Sequence, residues 1–322
     1  MFRYARGVTV WAALHLLLLA ACMSTLVPPP LALALGVVTA LTGLARFPEL
    51  SRRASRLMMQ TCIVLLGLRI DLGQLWREAS SGFAFAAATI VGAFVVGFGL
   101  GRLLGIGREQ TLLVSSGTAI CGGSAIAAVG SAIRASSTSM AVATGAIFIL
   151  NAAALALFPV IGRALGLTDV QYGTWVGVAV HDMASVAGAG AAYGGSAALD
   201  TAMVVKLSRV VWILPCTLVA TWLMAAPTGD GPSRTFTRAA QPFLVGFLLA
   251  SLARTLVPSL AAHEAWIKQV ATGGFGGAIF LIGTGLSAAA LRSVGWRVLV
   301  QATVTWVTLA ATTLLAIIWW KT

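Results

Sequence analysis

Residues Tyr172 to Gly195 read YGTWVGVAVHDMASVAGAGAAYGG, apolar enough to lie in a membrane yet carrying His181 and Asp182 at the centre. A charged side chain at mid-membrane costs about 2.5 to 3.5 kcal/mol on insertion scales, so such residues face a cavity or a partner and mark function. Gly173, Gly177, Gly188, Gly190, Gly194 and Gly195 fall in the same window. Each weakens a helix by about 1 kcal/mol relative to alanine and permits close approach or local unwinding. The rest of the chain reads as a scaffold for this segment.

The 322 residues are 59% hydrophobic and 9% charged, with a mean hydropathy of +0.94, against a soluble norm of about 25% charged. Only helices or closed barrels satisfy the backbone inside lipid, and no run shows the alternation of a barrel strand. An all-α polytopic membrane protein follows. Eleven spans are expected: Val8 to Met23, Pro30 to Ala45, Leu57 to Ile70, Gly82 to Leu104, Gln110 to Ile133, Ser139 to Ile161, Tyr172 to Tyr193, Thr201 to Met224, Phe243 to Val257, Trp266 to Ala288 and Trp296 to Trp320.

Cytoplasmic loops collect Lys and Arg, which tests that count. With a cytoplasmic N-terminus, the inner side holds Arg3, Arg6, Arg46, Arg52, Arg53, Arg56, Arg102, Arg108, Arg163, Arg234, Arg238, Arg292 and Arg297. The outer side holds Arg69, Arg77, Arg134, Arg254, Lys268 and Lys321, so 13 basic residues face 6. Lys206 and Arg209, inside a span, complete the 21. The net charge of +12 is therefore mostly a topology signal, and the basic soluble domain or tail that nucleic acid would need is missing. Arg3 and Arg6 precede an apolar run ending Leu19-Ala20-Ala21-Cys22, which looks like a lipoprotein box, but a retained signal-anchor is the expectation.

Cys22, Cys62, Cys121 and Cys216 lie within spans and show no close pairing of the kind a metal site uses, and nothing calls for a cofactor. Of the histidines, His15 sits in the first span and His263 in an outer loop, which leaves His181. A second unusual stretch, Ser115 to Ile133, is SSGTAICGGSAIAAVGSAI, rich in small and hydroxyl residues. It suits either close helix packing or a broken helix in which Gly117, Gly122 and Gly123 free backbone groups that bind a ligand with Thr118, Cys121 and Ser124. The two stretches look alike at an offset of 60 residues: Gly117-Thr118-Ala119-Ile120 matches Gly177-Val178-Ala179-Val180. Lys206 and Arg209, three apart on the eighth span, share a face, and Asp182 is their expected partner. Asn151 in the sixth span is a further polar group at depth.

GTAICGGSAIAA (Gly117 to Ala128), GVAVHDMASVAGA (Gly177 to Ala189) and VVKLSRVVWILP (Val204 to Pro215) resemble the signature of the YeiH-like sulfate exporter family of bacterial inner-membrane proteins. The likeness runs from about Ala32 to Trp320. Members more often carry His-Asp-Thr-Ser-Ser in the second motif, whereas this chain has Met183 and Ala184 before Ser185. The resemblance implies the architecture of bile-acid symporters and cation/proton antiporters: two inverted five-helix repeats with unwound helices crossing at mid-membrane. The eleven spans then divide into a peripheral first helix (1–25), a first repeat (30–165) and a second (170–322), forming one transporter domain. The fifth and tenth spans become counterparts, with Gly273 to Gly277 as the second break. Eleven crossings make the fifth and seventh spans run the same way, so the 60-residue likeness is not the inverted repeat.

The expected function is alternating-access transport of a small anion, a sulfur oxyanion or sulfonate. Helix-break amides and hydroxyls at Gly117 to Ser124 favour negative charge, Lys206 and Arg209 supply compensating charge, and His181 with Asp182 couples protons. No GxxxxGK[ST] loop for ATP is present. The alternatives are a cation/proton antiporter using Asp182, an intramembrane enzyme drawing on Cys121 or Ser124 with His181, and a non-transporting scaffold. A homodimer in the inner membrane is compatible with all of these, and the C-terminus at Lys321 and Thr322 is expected outside.

Overall fold

A computed structural model describes residues 2–24, 26–42, 48–194, 196–224, 242–285 and 294–319. Expectations that fall on Arg46, Gly195, Arg234, Arg238, Ala288, Arg292, Trp320, Lys321 and Thr322 lie outside these residues. The described residues form helices α1 (Phe2–Met23), α2 (Pro29–Leu41), α3 (Pro48–Gly67), α4 (Leu72–Leu103), α5 (Arg108–Ala119), α6 (Gly123–Ala132), α7 (Ser137–Ala164), α8 (Asp169–Ala179), α9 (Met183–Tyr193), α10 (Ser196–Val210) and α11 (Ile213–Leu223). After these come α12 (Pro242–Leu256), a 3-10 turn (Pro258–His263), α13 (Glu264–Thr284) and α14 (Trp296–Trp319). Among the described residues, five segments are long and apolar enough to cross a membrane: Gly82–Leu103, Ser137–Ala164, Ala197–Leu223, Pro258–Thr284 and Trp296–Trp319.

The fifth and seventh expected spans do not cross. Each folds back on itself as a helical hairpin. At the base of α5, the Glu109 carboxylate accepts from Ser136 N and Oγ, both at 3.1 Å, and Gln110 Nε2 donates to Ser139 O at 3.3 Å. The end of α6 has therefore returned to the start of α5. In the second hairpin, the Tyr172 and Tyr193 rings stack at 3.8 Å, and Tyr172 OH donates to Ala189 O at 3.1 Å, so α9 returns alongside α8. Arms of 12 and 11 residues are about 18 and 17 Å long, roughly half the 30 Å hydrocarbon core.

The single long helix α7 lies between the two hairpins and gives them opposite senses. Its first turn touches the base of α5–α6 through Ser136 and Ser139. Its last turns touch the base of α8–α9, where an added Gly162 Cβ would meet Tyr172 and Tyr193 and Arg163 Nη1 donates to Ala192 O at 3.0 Å. Twenty-eight residues separate these ends by about 42 Å. The hairpins thus enter from opposite faces and meet midway along α7. The 60-residue likeness joins two inverted elements, contrary to the same-direction reading, because neither hairpin changes the side of the chain.

The helices sort into two groups. In the first, α13 packs on α1, α2 and α3, and α12 packs on α3. In the second, α4, α7, α10, α11 and α14 surround the hairpins, with α10 beside α8. Glycine makes both groups close. Gly173 and Gly177 of α8 would place a Cβ within 2.6 and 2.8 Å of the Ala198 and Ala202 carbonyls of α10, so α8 and α10 run in parallel, backbone against backbone. The expected break at Gly273 to Gly277 is absent: α13 is continuous there, and those glycines accept Cys62, the Cys22 carbonyl, Met23 and Met58 from α3 and α1. The first helix is accordingly packed on α13, with His15 and Phe280 rings 5.2 Å apart. The eighth stretch bends at Val211 and Trp212, where Pro215 lacks the N–H to bond Val211 and its ring crowds that carbonyl.

Candidate functional site

The two hairpin tips touch. Helix α5 stops at Ala119 and α6 starts at Gly123, inside the stretch expected to break. Gly122 carries φ +67° and ψ −129°, a conformation closed to side chains, and an added Cβ would lie 3.3 Å from Ile147 and 3.4 Å from His181. The N-cap of α6 is Gly122, which has no side chain, and the Ala125 amide of its first turn meets the Cys121 thiol. In the second hairpin, Val180 is extended, and Asp182 caps α9 by accepting from Ser185 N at 2.8 Å and Ser185 Oγ at 2.9 Å. Asn151 of α7 binds both residues of the motif: its Nδ2 donates to Asp182 Oδ2, and its Oδ1 accepts from His181 N at 3.1 Å. That oxygen also lies 3.1 Å from His181 Nδ1, so Nδ1 carries the ring proton and Nε2 is the free nitrogen.

Lys206 and Arg209 are fully buried, and they do not pair with Asp182 as expected; among the described residues their partners are the broken ends of the hairpins. A helix leaves its last carbonyls unpaired and its C-terminus partly negative. Lys206 Nζ donates to Ile120 O at 3.0 Å and Val180 O at 2.6 Å, which ties both tips to α10 with one ammonium. Arg209 Nη2 donates to Ala119 O, and Nη1 donates to Thr89 Oγ1 of α4 at 2.7 Å. Trp306 Nε1 of α14 donates to Ala179 O at 3.0 Å. Sequence reading missed Thr89 and Trp306, since a threonine or tryptophan in an apolar span looks like ordinary packing or an interface anchor.

The remaining expected residues sit around these ends. Gly117 lets α6 approach, because a Cβ there would lie 2.8 Å from Ile126. Cys121 is buried in the first tip. Thr118 Oγ1, His181 Nε2 and Arg209 Nε are buried without a partner among the described residues. Among the described residues, no three His, Cys, Asp or Glu side chains come together as a metal would need.

Access is one-sided. On α6, Gly123 and Ser124 are half-buried and Ala127 and Ser131 exposed, with Thr144 of α7 facing Gly123. On α9, every residue from Met183 to Gly190 is buried. The exposed face of α6 is glycine, alanine and serine, unlike the exposed Val91, Val95 and Phe98 of α4. Asp182, at the second tip, is itself half-buried.

A family model described as conserved hypothetical protein 698 matches residues 7–302. A UPF0324 membrane protein of Bacteroides thetaiotaomicron is 40% identical over 296 residues, covering 90% of this chain and 86% of the relative. A UPF0324 membrane protein of Geobacter sulfurreducens is 38% identical over 94% of each chain, and one of Vibrio vulnificus is 36% identical over 91% of this chain and 93% of its own. No solved structure matches. With hairpins, long apolar helices and relatives across nearly its whole length, the chain is a membrane protein of the UPF0324 family, the family described as conserved hypothetical protein 698.

Proposed function

We propose that this protein is a secondary transporter that carries a small anion by alternating access, with the ligand held where the hairpin tips meet. The observation that carries the reading is the charge balance there. Lys206 and Arg209 are buried and donate to backbone carbonyls of the tips, whereas Asp182 is the one carboxylate the tips contribute. Two fixed cations against one anion leave a positive surplus. The α6 N-terminus, whose N-cap Gly122 has no side chain, adds a positive dipole end at half-buried Gly123 and Ser124. Two hairpins inserted from opposite faces are the kind of inverted, discontinuous pair that transporters use at mid-membrane.

The resemblance to the sulfate exporter family supports a sulfur oxyanion or sulfonate as substrate. His181 Nε2, without a protein partner, and half-buried Asp182 supply the proton-coupling pair. The 13-to-6 basic asymmetry supports an inner-membrane placement with a cytoplasmic N-terminus and an external C-terminus. One observation favours a second reading: half-buried Asp182 held by Asn151 and Ser185 also suits the exchanging carboxylate of a cation/proton antiporter. Flux of sulfate, sulfite, thiosulfate and methanesulfonate into proteoliposomes separates the two. Saturable anion uptake, absent in Ser124→Ala and Lys206→Met, is expected; cation-driven proton flux without any anion dependence would replace this reading with the antiporter.

A further inference from the structure

The two helix groups are clasped at one end by a buried arginine. Arg69, just past α3, has a side chain only 2% exposed. Its Nη1 and Nη2 donate to Asp200 Oδ1 and Oδ2 at 2.6 and 3.0 Å, and Nη2 also donates to Glu264 Oε1 at 2.9 Å. The acids sit outside it, 25% and 47% exposed. Glu264 opens α13, in the same group as α3. Asp200 belongs to the first turns of α10, in the other group, on the helix that presents Lys206 and Arg209 to the hairpin tips. Of Arg69's two bonds to acids, the bidentate one therefore spans the groups and the other stays within one.

The start of α10 adjoins the base of the second hairpin, since an added Gly190 Cβ would lie 2.9 Å from Leu199 Cα. The clasp thus lies at the face from which α8–α9 enters, opposite the base of the α5–α6 hairpin. The chain turn at Arg69 is itself held to the first group, as Ser251 Oγ of α12 donates to Ile70 O at 2.5 Å and Leu72 N donates to Thr255 Oγ1 at 2.9 Å. Any relative movement of the groups at this end must draw Asp200 away from a fixed guanidinium.

We infer that the Arg69–Asp200 pair is a gate latch: it holds the second-hairpin face shut in the state seen here and breaks when the groups part to open that face, while Glu264 keeps Arg69 satisfied. This rests on the alternating-access reading for its use but not for its existence. The latch predicts an asymmetry that a merely stabilising ion cluster would not show.

Spin labels at Leu256→Cys on α12 and Ala197→Cys on α10, both exposed and in different groups, report the separation directly. The half-buried Cys216 is replaced by serine to leave the labels unique. In Asp200→Asn, which leaves Arg69 bonded to Glu264, a second and longer distance population is expected. Glu264→Gln should keep the parent distribution, and the exchange Arg69→Asp with Asp200→Arg should move it back toward the parent. Unchanged distances in Asp200→Asn, or an equal shift in Glu264→Gln, overturn the latch. Longer distances in Asp200→Asn with no anion flux in any variant, parent included, would uphold the latch and remove the transport reading.

Discussion

The two hairpins share a plan and differ in how their breaks are closed. Both run helix, three-residue break, helix, and both surrender their C-terminal carbonyls to the same lysine. The first turns through Gly122 in a glycine-only conformation, has no side chain at its N-cap and leaves one face of α6 exposed. The second turns through extended residues, caps α9 with its own carboxylate and buries the whole returning arm. An inverted pair need not be functionally symmetric. Here a tethered carboxylate occupies the N-terminus of α9, whereas the N-cap of α6 is a glycine with no side chain.

Removing the shared tie should have the largest effect. Lys206→Met leaves Ile120 O and Val180 O without a donor. A buried unpaired polar group costs about 1 to 3 kcal/mol, and part of the sum returns because a buried charge is also removed. A net loss of about 2 kcal/mol or more is expected, with faster amide exchange at both tips. Arg209→Met frees only the first tip, at Ala119 O. Equal exchange at residues 177–185 in both variants would break the comparison.

Gly122→Ala tests the first break alone. A side chain at φ +67° and ψ −129° with contacts at 3.3 to 3.5 Å should cost about 1 to 3 kcal/mol, read as a lower unfolding midpoint in detergent. Asp182→Asn tests the second. An asparagine still caps but offers one acceptor oxygen where both carboxylate oxygens now accept, so a stability loss of about 1 kcal/mol is expected. Loss of the neighbouring negative charge should tighten anion binding, as measured by calorimetric titration with sulfate and methanesulfonate; weaker binding would mean that Asp182 holds a cation.

Residue chemistry at the tips was legible in the sequence; the path of the chain was not. Glycine and hydroxyl content located the first break to within a few residues, and His181 and Asp182 lie at the second. Lys206 and Arg209 stood out as charges too deep to reach an interface. Apolar length, however, cannot tell a crossing helix of 24 residues from two half-length arms folded together. The charge tally could not help either. Two hairpins in place of two crossings only exchange Arg134 and Arg163 between faces and preserve 13 against 6. The glycines of α13 misled for a related reason, since glycine serves close backbone contact as readily as a break, and only the neighbour decides. Asp182 was expected to find a cation by Coulomb attraction. Helix ends competed for both charges and won, because at depth a free carbonyl or amide end is itself a charge to be satisfied.

The smallest effect belongs to the hairpin bases, which also differ. Stacked tyrosines close the second, whereas Glu109 closes the first from a half-exposed position at the aqueous end of α5. Its carboxyl is held below the usual range, first by the Ser139 hydroxyl and then by the Ser136 amide and hydroxyl. A carboxyl with a lowered folded pKa binds protons less readily in the folded chain than in the unfolded one. It therefore adds stability at neutral pH, and that contribution fades as pH falls through the folded value, below about 4.3. The Glu109→Gln variant should be slightly less stable than the parent at pH 7, and the difference should narrow as pH falls. Proteolysis at the exposed turn around Arg134 to Ser136 is the measurement, because an opened base exposes that turn while the tyrosine-closed base stays protected. A parent protein whose first hairpin is cut no faster at pH 3 than at pH 7, under a protease active at both, would show that the glutamate does not hold it.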